Sequence, residues 1–137
     1  MIGSNQMRRA KNPRRALLVL SDGNDNNSRF SESEVKGTVI ERDVQIFAIA
    51  LHYRPRLLKQ LADATGGTVL LARDTADLDD VVRQLSVEIR SHYLLGYASN
   101  NRVRDGKYRK VKVELLRKPG DASLRVSWRR GYYAPAD

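Results

Sequence analysis

The 137-residue chain has no cysteine, one tryptophan, two histidines and four prolines. The missing cysteine removes disulfides, thiol nucleophiles and thiolate metal sites together. It does not assign a compartment, because a chain of this size can fold in an oxidising space without disulfides. No apolar run approaches the roughly 18–20 residues that cross a bilayer. The basic residues near the start have no apolar stretch behind them, so no signal peptide and no membrane insertion are expected. No Gly-x-Ser-x-Gly elbow and no glycine-rich phosphate loop occurs. His52 and His92 stand alone, outside any spacing that makes a metal pair or a nucleophile with its base, and read as structural. No residue is assigned a catalytic role, and binding is expected rather than turnover.

Acidic residues are also scarce. Sixteen Asp and Glu stand against 25 Lys and Arg, a net charge of +9 and a pI near 10.2, which favours contact with anionic surfaces and polymers. The charge collects at the two ends. Arg8, Arg9, Lys11, Arg14 and Arg15 come early; Arg102 through Lys118 and then Arg125, Arg129 and Arg130 come late.

Residues 1–15 are polar and basic, a helix remnant or a loose arm. Ala16-Leu17-Leu18-Val19-Leu20 is a continuous apolar run stopped by Ser21-Asp22-Gly23, the pattern of a strand buried on both faces of a parallel sheet. Asn24–Ser28 reads as a polar loop. Ser31 with Glu34 forms a capping-box signature, and Val35, Val39 and Ile40 give the helix behind it an apolar face toward Asp43. Val44–Leu51 is a second buried strand. Pro55 opens a helix carrying Leu57, Leu58, Leu61 and Ala62, and Gly66-Gly67 ends it. Thr68–Ala72 is a third strand. From Asp77, the apolar positions Leu78, Val81, Val82, Leu85 and Ile89 step by three and four, with Asp79 and Asp80 in the first turn.

Strand and helix alternate three times, the rhythm of a parallel sheet with right-handed crossovers. The period then changes. Tyr93–Tyr97 is a strand candidate, and beyond Asp105-Gly106 the apolar Val111, Val113 and Leu115 alternate with Lys110, Lys112 and Glu114. Pro119-Gly120-Asp121 turns the chain, and Leu124, Val126 and Trp128 alternate with Arg125, Ser127 and Arg129. This predicts a two-strand hairpin with cations on one face, and Lys110, Lys112, Arg125 and Arg129 as candidate anion-binding residues. Tyr108 shares the cationic face and could stack on a base. A solvated face that resists edge-to-edge association explains the same lysines equally simply. Trp128, Tyr132 and Tyr133 read as a lid on the core.

The expected architecture is therefore α/β: a three-layer, Rossmann-like unit with a partial parallel sheet of three strands, followed by an antiparallel β extension. Residues 1–15 form the arm, 16–91 the α/β body and 92–137 the extension.

Arg14–Asp25 resembles the fourth strand and following loop of von Willebrand factor A-like domains. The resemblance continues in order through Val44–Ile49, the helix ending Leu61-Ala62-Asp63-Ala64-Thr65-Gly66-Gly67, and Thr68–Ile89. The tail from Tyr93 to Pro135 is similar to the extension of a bacterial group of such domains. In that family a divalent cation, usually magnesium, sits at the strand ends. Its ligands come from an Asp-x-Ser-x-Ser loop, a Thr, and an Asp after the fourth strand. The resemblance places that last ligand at Asp22, with Asp25 as a second candidate. This sequence contains no Asp-x-Ser-x-Ser. The resemblance therefore implies the C-terminal half of a longer, exported parent that holds Mg2+ and a protein partner, while this chain alone is expected to carry no cofactor. Asp22-x-Asn24-x-Asn26 also has the opening of a calcium loop, but Asn27 stands where the loop needs Gly and Ser33 where it needs Glu.

In the family the fourth strand is central. Here Ala16–Leu20 would be left as an apolar edge, so a homodimer across this strand, or its coverage by the N-terminal arm or the tail hairpin, is expected. The runner-up to protein binding is an assembly role in which the basic hairpin contacts anionic polymers or nucleic acid.

Overall fold

The structure is a computed structural model that describes residues 15–22, 31–116, 124 and 126–136. A three-stranded parallel sheet runs in the order β1 (Arg15–Ser21), β2 (Val44–Leu51), β3 (Val69–Ala72). Its connections carry α1 (Glu32–Glu41) and α2 (Arg56–Thr65), and α3 (Leu78–Arg90) follows β3. The α/β layering read from the sequence is what the chain adopts.

Each element begins and ends for a local reason. At the start of α1 the Ser31 side chain accepts the Glu34 N–H and the Glu34 carboxylate accepts the Ser31 N–H at 2.8 Å, so two of the helix's orphan donors are satisfied. The Ser31 N–H, and after it the Ser31 hydroxyl, which donates to the same carboxylate at 2.8 Å, hold the Glu34 carboxyl below its ordinary pKa. α2 is entered through Pro55 as its N-cap, one residue earlier than the first-turn position expected. It stops at Gly66, whose φ of 78° lies in the left-handed region that glycine enters without strain. A Cβ on Gly67 would fall onto the Ile46 carbonyl oxygen. The second glycine therefore serves close packing of α2 against β2 rather than a turn.

The two faces of the sheet form two clusters. Leu17, Val19, Val44 and Ile46 pack beneath α1 and α2 through Val35, Val39, Leu57 and Leu61. Phe47, Ile49, Leu70 and Ala72 pack beneath α3 through Leu78, Val81 and Leu85. β2 is the central strand, and Ala48 and Ala50 are fully buried. Removing Phe47 from water contributes roughly 1.5–3 kcal/mol. β1 is different: its alternate residues are half-buried and exposed, and Leu18 and Leu20 are 53% and 64% exposed. By register these two lie beside Phe47 and Ile49, on the α3 face, but α3 covers only β2 and β3 there.

The C-terminal extension is antiparallel β as expected, but it pairs other residues than the alternation indicated. Its ladder joins β4 (Tyr108–Lys110) to β5 (Gly131–Tyr133), antiparallel. Val113, Leu115, Leu124 and Val126 form no strand among the described residues. One further bond, Val111 N–H to the Arg130 carbonyl at 2.8 Å, continues the ladder. Beyond it the Trp128 indole N–H donates to the Val111 carbonyl at 3.0 Å. The backbone of Arg129 and Arg130 then turns away to the end of α2, bridging Thr65 and donating to the Ala64 carbonyl at 3.1 Å. The extension thus divides its backbone hydrogen bonds between its own short ladder and the end of α2. Tyr93–Tyr97, a strand candidate by composition, pairs with nothing in the described sheets and is exposed, with Tyr93 at 92% and Leu94 at 82%. The Pro119–Asp121 turn, the Asn24–Ser28 loop and the arm 1–14 lie outside the described residues.

Candidate functional site

In open parallel sheets, ligands bind outside the carboxyl ends of the strands. The carboxyl end here is formed by Asp22 after β1, His52-Tyr53-Arg54 after β2, and Arg73–Asp77 after β3. Asp22 is exposed and follows directly on Ser21, which pairs with Ala50. It therefore emerges beside the segment that leads into His52.

His52 holds a φ of 66°, a left-handed conformation that costs a non-glycine residue roughly 1–2 kcal/mol. The conformation is fixed from both sides. The His52 N–H donates to the Ala72 carbonyl at 2.9 Å, its Nδ1 lies 3.0 Å from the Arg73 carbonyl, and the Tyr53 N–H closes a tight turn onto Leu51. The chain is thereby directed outward at Tyr53, which is 48% exposed, and at the exposed Arg54. After β3, Asp77 accepts the Arg73 N–H at 3.0 Å, and Asp74 accepts the N–H groups of Ala76 and Asp77 at 2.9 and 3.2 Å. These carboxylates shape their own loop. The rim is thus a mixed-charge surface with an acid on one strand end and a histidine, a tyrosine and arginines on the neighbouring ones.

Magnesium requires about six oxygen ligands in near-octahedral array. Among the described residues no group of three or more His, Asp or Glu converges on a point, and Asp22 supplies one carboxylate. Asp25, the second candidate, lies outside the described residues. The described residues do not form a hard-cation cage.

Several cations of the basic extension have partners within the chain. The Arg129 guanidinium pairs with Asp43 at 2.5 Å and donates to the Ile40 carbonyl at 2.7 Å. It supplies, from 89 residues away, the positive charge that the last turn of α1 lacks. Lys112 pairs with Glu114. Arg109 pairs with Asp105 at 2.7 Å, and Arg130 stacks over Trp128 with its guanidinium carbon 3.8 Å from the ring centroid. The Lys107 N–H and the Arg109 guanidinium hold the Asp105 carboxyl below its ordinary pKa. Lys110 remains exposed on β4, and Arg125 lies outside the described residues. Tyr108 packs edge to face on Tyr133, centroids 5.3 Å apart, so it is engaged as a packing group. Tyr97 meets Tyr132, and desolvation followed by their hydrogen bond raises the Tyr97 hydroxyl pKa.

Sequence reasoning missed two features. The strain at His52 has no signal in composition. A groove of about 610 Å³ beside β3 is lined by Phe47, Val69 and Leu70 together with Lys59, Glu88 and His92. The His92 ring stands edge-on to Phe47 at 5.7 Å. Its lining residues come from β2, β3, α2, α3 and the extension, which strand patterns alone do not bring together.

No protein-family model and no curated protein matches the chain. Among solved structures, the crystal structure of an uncharacterized membrane spanning protein from Vibrio fischeri is similar, at 15% identity and a TM-score of 0.50. The match covers 64% of this chain and 52% of that one, so this chain accounts for about half of that protein's length. That likeness concerns the fold. In the chain itself, no described helix is long and apolar enough to cross a membrane.

Proposed function

We propose that the chain is a non-catalytic binding module of the von Willebrand factor A-like type, which presents the carboxyl end of its parallel sheet to a protein partner. The observation that carries this reading is the rim itself. Asp22 stands exposed after β1, beside a β2 end whose left-handed His52 is held by two contacts to the β3 end and turns Tyr53 and Arg54 outward. Strain of this kind persists only where the surrounding structure over-determines it, and it collects at functional positions. An exposed tyrosine and arginine beside a carboxylate are the residue types that anchor protein interfaces. In a longer parent of the resembled family, Asp22 would contribute one ligand to a divalent cation, and that cation would help hold an acidic group of the partner.

The alternative, anion binding through the extension, has less support. Arg129, Lys112, Arg109 and Arg130 are each engaged within the chain.

The test is a displayed random-peptide library selected on the immobilised chain, with the enriched peptides mapped by amide chemical-shift perturbation. Perturbations centred on Asp22, His52–Arg54 and Arg73–Asp77 are expected. A footprint on Lys110 and Lys112, or no enrichment, would overturn the reading.

A further inference from the structure

The extension meets the α/β body at the ends of α1 and α2. The Arg129 guanidinium joins the Asp43 carboxylate at 2.5 Å and the Ile40 carbonyl at 2.7 Å. The Arg130 N–H donates to the Ala64 carbonyl, and Arg129 bridges Thr65. Trp128 passes so close to Gly66 that a Cβ on that glycine would lie 2.8 Å from the Trp128 carbonyl carbon. These attachments are polar and partly open to water. The Arg129 and Asp43 side chains are 34% and 66% exposed, and Ser127 and Arg130 are exposed. The buried Gly131 and Ala134 serve a different set of contacts, within the extension itself. Gly131 lies against Tyr108 and the Arg109 carbonyl, and the Ala134 N–H donates to the Lys107 carbonyl at 2.9 Å. Segments held by solvent-exposed hydrogen bonds open locally, ahead of the core.

Asp43 adds a second observation. It follows the C-cap of α1, Arg42, with a φ of 53°. That is the left-handed position at which helices usually stop on glycine, and an aspartate there is strained. Glycine would end α1 at less cost. What glycine could not supply is the carboxylate that holds Arg129.

We propose that residues 127–134 form a strap that detaches from the ends of α1 and α2 as a unit while the parallel sheet stays folded, with the Arg129–Asp43 ion pair as its latch. Ser127 lines the groove beside β3 together with Gly66, Gly67 and Thr68, so detachment opens that end of the groove. A latch made of one partly exposed ion pair is also sensitive to salt. The device acts at the ends of the helices and holds whether or not the rim binds a partner.

Amide hydrogen exchange on the whole chain, followed residue by residue by NMR, tests this. The Arg130 N–H reports docking of the strap, and the Ala48 N–H, bound to the Thr68 carbonyl at 2.9 Å, reports the sheet. Arg130 should exchange faster than Ala48. Raising the salt from about 0.1 M to 1 M shortens the screening length from about 10 Å to about 3 Å, and should speed Arg130 relative to Ala48. Arg129→Ala should speed Arg130 by about tenfold or more, leave Ala48 much less affected, and abolish the salt effect. Asp43→Gly should speed Arg130 while the Arg42 N–H, bound to the Thr38 carbonyl in the last turn of α1, exchanges no faster, because the turn loses its strain. Exchange of Arg130 and Ala48 at one common rate, or equal acceleration of both in Arg129→Ala, would overturn the proposal, since the strap would then open only with the whole fold. A salt effect that persists in Arg129→Ala, or faster exchange at Arg42 in Asp43→Gly, would overturn the assignment of the latch.

Discussion

Thr65 is the buried polar residue that joins the sheet, α2 and the extension, and Thr65→Val tests whether its hydroxyl matters. Thr65 is 5% exposed. Its Oγ1 accepts the Ile46 N–H at 3.0 Å and donates to the Leu61 carbonyl at 2.8 Å. β3 begins only at Val69, so this early part of β2 has no neighbouring strand on that side, and the hydroxyl takes the place of a ladder partner. Valine keeps the shape and removes the acceptor, leaving the Ile46 N–H buried without a partner. Leaving such a donor unsatisfied costs about 1–3 kcal/mol. For a chain of this length, roughly 4 °C of melting temperature corresponds to 1 kcal/mol, so a fall of about 4–12 °C is expected. Thr65→Ser keeps both hydrogen bonds and loses one methyl group, which costs about 0.5–1.5 kcal/mol. Calorimetric melts compare the variants, and amide exchange at Ile46 gives the local readout. Exchange at Ile46 should accelerate in Thr65→Val and stay slow in Thr65→Ser. If Thr65→Val melts within about 2 °C of the parent and its Ile46 amide exchanges unchanged, the hydroxyl does not complete the ladder.

Three further outcomes are expected. Gly67→Ala should abolish or severely weaken folding, because its Cβ would meet the Ile46 backbone with no flexible atom to give way; a soluble variant with the parent's melting temperature would contradict the packing of α2 on β2. In a double-mutant cycle between Arg129 and Asp43, the coupling should be about 0.5–1 kcal/mol for a partly exposed pair. Arg129→Ala alone should cost more than Asp43→Ala, because it also removes the hydrogen bond to the Ile40 carbonyl. Asp105 has a lowered folded-state pKa. Its contribution is therefore fully present above its unfolded pKa and is lost as pH falls through the folded value. Asp105→Asn should lower stability near neutrality and converge with the parent in acid, measured by urea unfolding across pH; a gap that widens toward low pH would reverse the sign.

How much of this was legible in the sequence depended on the range of the interactions. The capping box at Ser31 and Glu34, the left-handed stop at Gly66 and the apolar stripe of α3 act within a few residues; the first two stand in the structure, and of the stripe Leu78, Val81 and Leu85 pack on the sheet while Val82 and Ile89 are exposed. The β2 run Val44–Leu51 was legible because a strand buried on both faces has no alternation to hide. The extension was legible as antiparallel β, but its pairing was not. Alternation over Lys110–Leu115 and Leu124–Arg129 pointed to a hairpin between those runs. The Trp128 indole on Val111 and the Arg130 N–H on Ala64 commit the backbone elsewhere, and neither contact leaves a periodic trace. Arg129 shows the same limit in the candidate site. Its position in an alternating cationic strand suggested anion binding, whereas its partner Asp43 lies 86 residues away. Asp22 was visible as the residue after a continuous apolar run, although the strand it forms is half exposed, but the His52 turn beside it arises from hydrogen bonds across strand ends.

The central claim is that the carboxyl end of the sheet is the binding surface. The most direct measurement is the affinity of a library-selected peptide for the parent chain, for Asp22→Ala and for the double variant Lys110→Ala, Lys112→Ala, by isothermal titration. A hydrogen bond to a charged group contributes about 1.5–3 kcal/mol, so Asp22→Ala should weaken binding by about tenfold or more, while the lysine variant binds as the parent does. Unchanged affinity in Asp22→Ala together with a loss in the lysine variant would contradict the claim and place binding on the basic extension.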